Sequence, residues 1–322
     1  MNSILVSILV PIYGVEKYIE RCAISLFEQT YFNIEYIFVD DCTPDNSISI
    51  LKEVLARYPH RIKQAKIIRH EKNAGLANAR ITAIKNCTGK YLLNVDSDDY
   101  IEKDMVRIML EKAIETDSDM VICDFNNIYS NRIQRMNNYF PSNRIEYISN
   151  MLMRKTSVCV CGRLIKTSLY TEHNVYPIPG LNYAEDYAVT PRLVYFAHNI
   201  SKVDFAFYNY IQINDASYTK SLSSTSIDNA IQANDILTNF FSEHEINEEL
   251  PLKEAKAVTI VTLLYSTPKQ LLPKIIGQCK SLDIKNLKVS LLHKFILYIA
   301  KRGNKSILFQ LIKFINYLRG IR

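Results

Sequence analysis

Five short apolar runs, separated by single helical repeats, limit what this chain can fold into more than any other feature of it. Ile4 to Val10, Ile34 to Val39, Ala65 to Ile68, Tyr91 to Val95 and Met120 to Phe125 are each four to seven residues long and rich in Ile, Val, Leu, Tyr and Phe. Runs of that length without polar alternation mark strands buried on both faces. Between them Val15, Tyr18, Ile19, Cys22 and Leu26 recur at helical spacing, as do Ile48, Leu51, Val54, Leu55 and then Leu76, Ala79, Ala83, Ile84. Thr43-Pro44 offers the second helix an N-cap followed by a proline at its first position. Strands joined through single helices make right-handed crossovers and a parallel sheet. Ligands of such a sheet sit beyond the carboxyl ends of its strands, so the residues that follow each strand carry the chemistry.

Those residues are polar, acidic or glycine. Val95-Asp96-Ser97-Asp98-Asp99-Tyr100 sets three carboxylates within four positions, and their mutual repulsion is relieved by a cation or by a cluster of donors. A hard divalent ion shared with substrate phosphates suits them; helix capping in a solvated turn is the plainer use. Asp40-Asp41 ends the second strand, where a carboxylate can accept from a base or a ribose, and Tyr13 after the first strand offers a ring face for stacking. Asn73-Ala74-Gly75 runs into a helix bearing Arg80, so backbone N–H groups and a guanidinium could meet phosphate oxygens. Neither a G-x-G-x-x-G fingerprint nor a G-x-x-x-x-G-K-[ST] loop occurs, which removes support from dinucleotide oxidoreductases and P-loop enzymes. Glu185-Asp186 opens a further helix, as dipole partners or, for one of the two, as a general base toward a hydroxyl.

In this order the motifs resemble the inverting glycosyltransferase family 2, of the GT-A type. Val10-Pro11-Ile12-Tyr13 matches its V-P-x-Y segment, and Asp40 to Ser47 match its D-D-x-S/T-x-D-x-S pattern. Asn73 to Arg80 match N-x-G-x-x-x-A-R, Asp96 to Asp99 the D-S-D-D metal motif, and Glu185-Asp186 the acidic pair of the acceptor half. The resemblance spans about residues 3 to 215. It implies a Rossmann-like GT-A domain over 1–215, its mostly parallel sheet flanked by helices, with a nucleotide-sugar half to about 125 and an acceptor half over 126–215. It further implies a nucleoside diphosphate sugar donor, UDP-linked, and Mn²⁺ or Mg²⁺. Pro11, Tyr13, Asp41, Asn73, Gly75, Arg80, Asp96 and Ser97 then belong to the donor site, Asp98 with Asp96 to the metal, and Asp186 with Glu185 to the base. The activity implied is transfer to a glycan or lipid-linked hydroxyl in bacterial surface polysaccharide assembly. A sugar nucleotidyltransferase also uses carboxylates, metal and nucleotide, but opens with a glycine-rich basic loop where this chain has Pro11-Ile12-Tyr13-Gly14. An inactive nucleotide- or glycan-binding module is the non-enzyme alternative. The family's Q-x-x-R-W acceptor motif is impossible in a chain without tryptophan, which argues against a processive synthase.

The remaining third, 216–322, reads as helices over 226–242, 252–266, 286–301 and 305–319. The net charge of +6 is unevenly spread. Residues 284–322 hold six Lys, three Arg and no carboxylate, so the body before them is close to neutral and a nucleic-acid-coating protein is excluded. Leu287, Leu291, Leu292, Phe295 and Ile299, then Leu308, Leu311, Ile312, Ile315 and Leu318, alternate with these cations at helical spacing. That pattern points to an anionic membrane surface or to helices packed on the catalytic domain with solvated charges. No run is long enough to span a bilayer, and seven scattered cysteines suit reduced thiols. Together these point to a cytoplasmic protein, peripheral on the inner face of the cell membrane. Cys159-Val160-Cys161, a single close pair, makes a poor zinc site.

Overall fold

Every residue of the first strand, β1 (Val6–Ile12), is buried, because helices cover both faces of the sheet it belongs to. Val6, Ile8, Val10 and Ile12 point into one apolar cluster with α1 (Ile19–Phe27) and α2 (Ser47–Ala56). Leu9, between them, points into the opposite cluster with α3 (Leu76–Asn86). This two-sided burial is why the run lacks polar alternation. The computed structural model describes residues 4–141, 143–214 and 222–318.

β1 pairs in parallel with β2 (Ile34–Asp40) and β4 (Tyr91–Asn94), and β2 with β3 (Ala65–Arg69). The sheet continues through β5 (Tyr100–Ile101), β6 (Met120–Ile128), β7 (Ile133–Met136), β8 (Arg163–Lys166) and β9 (Ile200–Ile211) in the order β3-β2-β1-β4-β8-β6-β9-β5, with β7 beside β6. The mostly parallel arrangement expected holds from β3 to β4 and then becomes mixed. β8 enters antiparallel between β4 and β6, and β6 resumes parallel pairing with β9. β8 is hard to recognise in the sequence because it is four residues long and opens on Arg163. That side chain is fully buried and is satisfied by hydrogen bonds to Tyr147 Oη, Ser157 O and Cys159 O, each 2.7 Å.

Helix α4 (Met105–Glu115) packs on the face with α1, while α5 (Arg144–Leu152), α6 (Ser168–Thr171) and α7 (Glu185–Phe196) lie with α3 on the other. α2 begins at Ser47 and not after Thr43 as the sequence suggests. Thr43 and Asp45 are used otherwise: Gly14 N–H donates to Thr43 Oγ1 at 2.8 Å and Glu16 N–H to Asp45 Oδ2 at 2.9 Å, tying the loop after β1 to the loop after β2.

The helical third forms α8 (Ser224–Glu243), α9 (Leu252–Ser266), α10 (Leu272–Cys279), α11 (Leu291–Lys301) and α12 (Lys305–Leu318). Ala233, Leu237 and Phe241 of α8 enter the same cluster as the sheet, and the other helices share a third core of their own. α11 starts five residues later than its periodicity suggests, because Ser290 caps it by accepting from His293 N–H at 3.2 Å.

Candidate active site

Beyond the carboxyl ends of β1, β2 and β4 lies a pocket of about 780 Å³. The residues assigned from the sequence to donor, metal and base line it, from Pro11 and Tyr13 to Glu185 and Asp186, while Asp40 and Asp99 do not. Tyr13 is half exposed at its rim, as a stacking face requires.

Asp41, at the end of β2, is buried and holds the following loop in place. Its Oδ1 accepts from Ala74 N–H at 2.8 Å and lies 2.7 Å from His70 Nδ1, and its Oδ2 accepts from Gly75 N–H at 2.8 Å. Gly75 has φ 88°, and a Cβ built there would lie 2.3 Å from the Asn182 side chain, so both the backbone angle and the space exclude other residues. Asn182 Oδ1 in turn accepts from Ala77 N–H at 3.1 Å, in the first turn of α3.

The three carboxylates after β4 have separate surroundings. Asp99 is a structural member: it is buried, and it accepts from Tyr208 Oη and Ile211 N–H, both at 2.8 Å, which fastens the motif to β9. Asp96 faces Arg80, whose Nη2 donates to its Oδ1 at 2.9 Å. Asp98 is half-buried in the pocket lining, and Asn214 Nδ2 donates to its Oδ2 at 2.8 Å. Burial first, and then the charge of Asp96, push the Asp98 carboxyl above its ordinary value.

Arg80 differs from its expected place. It does not reach outward to meet phosphate oxygens; its guanidinium is buried beneath the pocket among three carboxylates. Besides the Asp96 bond, Nε stands 3.6 Å from Glu185 Oε1 and Nη2 stands 4.0 Å from Asp186 Oδ1. Those two are ion pairs without hydrogen bonds, which leaves Arg80 Nε, Arg80 Nη1 and Asp186 Oδ1 buried and unpartnered. Each such atom costs about 1–3 kcal/mol, a strain that belongs in a site built for something other than stability. The acidic pair opens α7 as expected, delivered by Ala184 at φ 63°, the left-handed region that alanine seldom adopts.

Burial raises both acidic groups of this pair above their ordinary values. For Glu185 the next cause is the Asp186 charge, which raises it further; for Asp186 it is Arg80, which draws it back. The two carboxyls share one environment and titrate as a pair above the ordinary carboxylate range. Cys159 also lines the pocket. Sequence reasoning assigned no role to His70, Asn182, Tyr208 or Asn214, and weighed Cys159 only as a metal ligand. Tyr208 and Asn214 lie more than a hundred residues from the carboxylates they hold, so no local pattern marks them.

The family model described as glycosyl transferase family 2 matches residues 7–171. An uncharacterized glycosyltransferase of Bacillus subtilis, EpsJ, is 32% identical over 213 residues, 64% of this chain and 60% of that protein. Chondroitin synthase of Escherichia coli is 38% identical over 108 residues, 34% of this chain and 15% of that one. The chain thus spans less than two thirds of the length of either relative. Among solved structures, S. aureus TarS 1-349 in complex with UDP-GlcNAc superposes with a TM-score of 0.71 at 19% identity, covering 98% of this chain and 92% of that one. The fold is the GT-A-like one implied by the motifs, and the chain belongs to glycosyl transferase family 2.

Proposed function

We propose that this glycosyltransferase is inverting and metal-dependent, and moves a hexose-type sugar from a UDP-linked donor to a hydroxyl of a glycan or lipid-linked acceptor. The observation that carries this reading is one pocket joining Asp98 and the nucleotide-end residues to an ionisable Asp186 held over Arg80. The acceptor hydroxyl gives its proton to Asp186 as its oxygen attacks the anomeric carbon. The bond to the diphosphate breaks on the opposite face, so a single displacement inverts the centre. A carboxylate raised toward neutrality is a stronger base for this step than an ordinary one.

The donor set fits Mn²⁺ or Mg²⁺ shared with a substrate. Asp98 is open to the pocket and crowded by Asp96, while Asp99 is committed to β9. No three His, Cys, Asp or Glu side chains converge as a metal cluster among the described residues. One or two carboxylates are what such ions take from a protein when phosphates supply the rest. Bound there, the ion would neutralise charge developing on the leaving diphosphate.

The setting we propose is bacterial surface polysaccharide assembly at the inner face of the cell membrane. A chondroitin synthase among the relatives supports the product class, UDP-GlcNAc in the TarS complex supports the donor class, and the basic apolar helices α11 and α12 support the location. A thermal-shift screen of nucleotide sugars with and without Mn²⁺ tests the reading, since a ligand of the native state raises the melting temperature. A UDP-sugar should shift the wild type only with Mn²⁺, and Asp98→Ala should lose that shift. Equal shifts with and without the ion would reject metal dependence, and a bound donor that never turns over would favour the inactive module.

A further inference from the structure

Arg154 ends α5 in the left-handed region, at φ 56°. Its N–H bonds Met151 O at 3.0 Å, and Lys155 N–H returns to Asn150 O at 2.8 Å. Glycine takes this turn without cost, so a long cation here is not accounted for by the turn alone. The guanidinium carbon lies 4.0 Å from the Tyr187 ring centroid, and Nη2 lies 3.4 Å from Thr259 Oγ1. Nε is buried without a partner.

Arg154 is half-buried, and two fully buried arginines have more partners. Arg80 has its three carboxylates, and Arg163 has hydrogen bonds from all three of its nitrogens. No carboxylate pairs with Arg154 among the described residues. It lines the main pocket and also a groove of about 270 Å³, where Arg154, Lys155, Thr156 and Ser157 face Phe125 and Met136. Arg154, Thr156 and Ser157 line both spaces, so the groove adjoins the pocket. None of Pro11, Tyr13, Asp41 or Asn73 lines the groove, which sets it away from the nucleotide end. Its lining holds two cations and no carboxylate, in contrast to the acidic pocket beside it.

We propose that Arg154 receives an oxyanion of the acceptor, a carboxylate or a phosphate, and that the enzyme extends an acidic chain. With the guanidinium fixed by stacking, Nε buried and Nη2 on Thr259, Nη1 is the donor left for such a group. This inference rests on the glycosyltransferase reading.

The test uses the full chain and three probes: a tetrasaccharide containing glucuronate, the same tetrasaccharide with its carboxyls reduced to alcohols, and a glycerol phosphate tetramer. Binding is followed by calorimetry or by saturation-transfer NMR, and UDP with Mn²⁺ is titrated in parallel. At least one anionic probe should bind wild type about tenfold tighter than the reduced sugar, or ~1.4 kcal/mol. Whichever anion wins identifies the source. Arg154→Gln should abolish that preference, Arg154→Lys should keep part of it, and UDP binding should be unchanged in both. The proposal is overturned if neither anion binds, if the reduced sugar binds as well, or if Arg154→Gln keeps the preference. A tenfold loss of UDP affinity in Arg154→Gln would also overturn it, by assigning the residue to the donor. The comparison of probes on wild type needs no variant to fold. Failure of the glycosyltransferase reading shows separately, as absence of any UDP-sugar shift or turnover in wild type.

Discussion

A single buried arginine organises the reactive end of the pocket, and its energetics give two predictions. Arg80 offsets three carboxylates, Asp96, Glu185 and Asp186, each held away from bulk water. Replacing it leaves uncompensated charge in the interior, which costs about 3–5 kcal/mol. Arg80→Met should therefore unfold at lower urea than wild type at pH 7.5. Without the guanidinium the carboxyls rise further, so the folded state binds protons that the unfolded state does not, and stability falls as pH rises. The deficit should be smaller at pH 5.5, and urea titration at the two values checks the sign. The second prediction concerns the proposed base. Asp186→Asn keeps the shape of the side chain and the nucleotide end, so donor binding should persist while transfer drops by about a hundredfold or more. Transfer at the wild-type rate would move the base to another residue.

The elements act by holding loops whose own sequences specify little. Asp41 at the end of β2 and Asn182, just before α7, both grip the segment that leads into α3. Gly75 is the point at which these two grips meet. Gly75→Ala would put a methyl group into Asn182 and impose a left-handed φ on alanine, at a cost of about 1–3 kcal/mol. Chemical denaturation should show that loss, and UDP-sugar affinity should fall with it. The double variant Gly75→Ala, Asn182→Ala should recover only the steric part, because the backbone angle remains.

Over the whole molecule, the basic tail turns one apolar face inward and leaves another exposed. Ile296, Leu297, Ala300, Leu308, Ile312 and Ile315 pack inward on the helical core. Leu291, Phe295 and Tyr298 on α11, with Ile307, Phe314 and Tyr317 on α12, form outward stripes, and Leu291 and Tyr317 are more than 80% exposed. Lys288, Arg302, Lys305 and Lys313 are exposed on the same helices and the turns beside them. Arg319 and Arg322 lie outside the described residues. No helix among the described residues is long and apolar enough to cross a membrane, so any contact is with its surface. Each cation near an anionic surface contributes about 1 kcal/mol. Flotation with anionic vesicles should carry the wild-type chain upward, and neutral vesicles should not. Deleting the helices would strip a core, so the informative variant is Phe295→Ser with Phe314→Ser and Tyr317→Ser, which should stay folded and sediment. Equal flotation of wild type and variant would remove the membrane from the account.

The sequence by itself determined the strands of the parallel half, the polar residues after them and the acidic pair at the start of α7. Burial on both faces leaves an unbroken apolar run, and a strand end leaves its chemistry adjacent in the chain. Tertiary structure alone decided that β8 interrupts the parallel order, because a four-residue strand opening on a buried arginine carries no periodic signal. It also decided that Arg80 turns inward to three carboxylates, that Asp99 is an anchor while Asp98 faces the pocket, and that the tail has two apolar faces. Each of these depends on partners brought together from distant parts of the chain, and local pattern records spacing along the chain, not proximity across it.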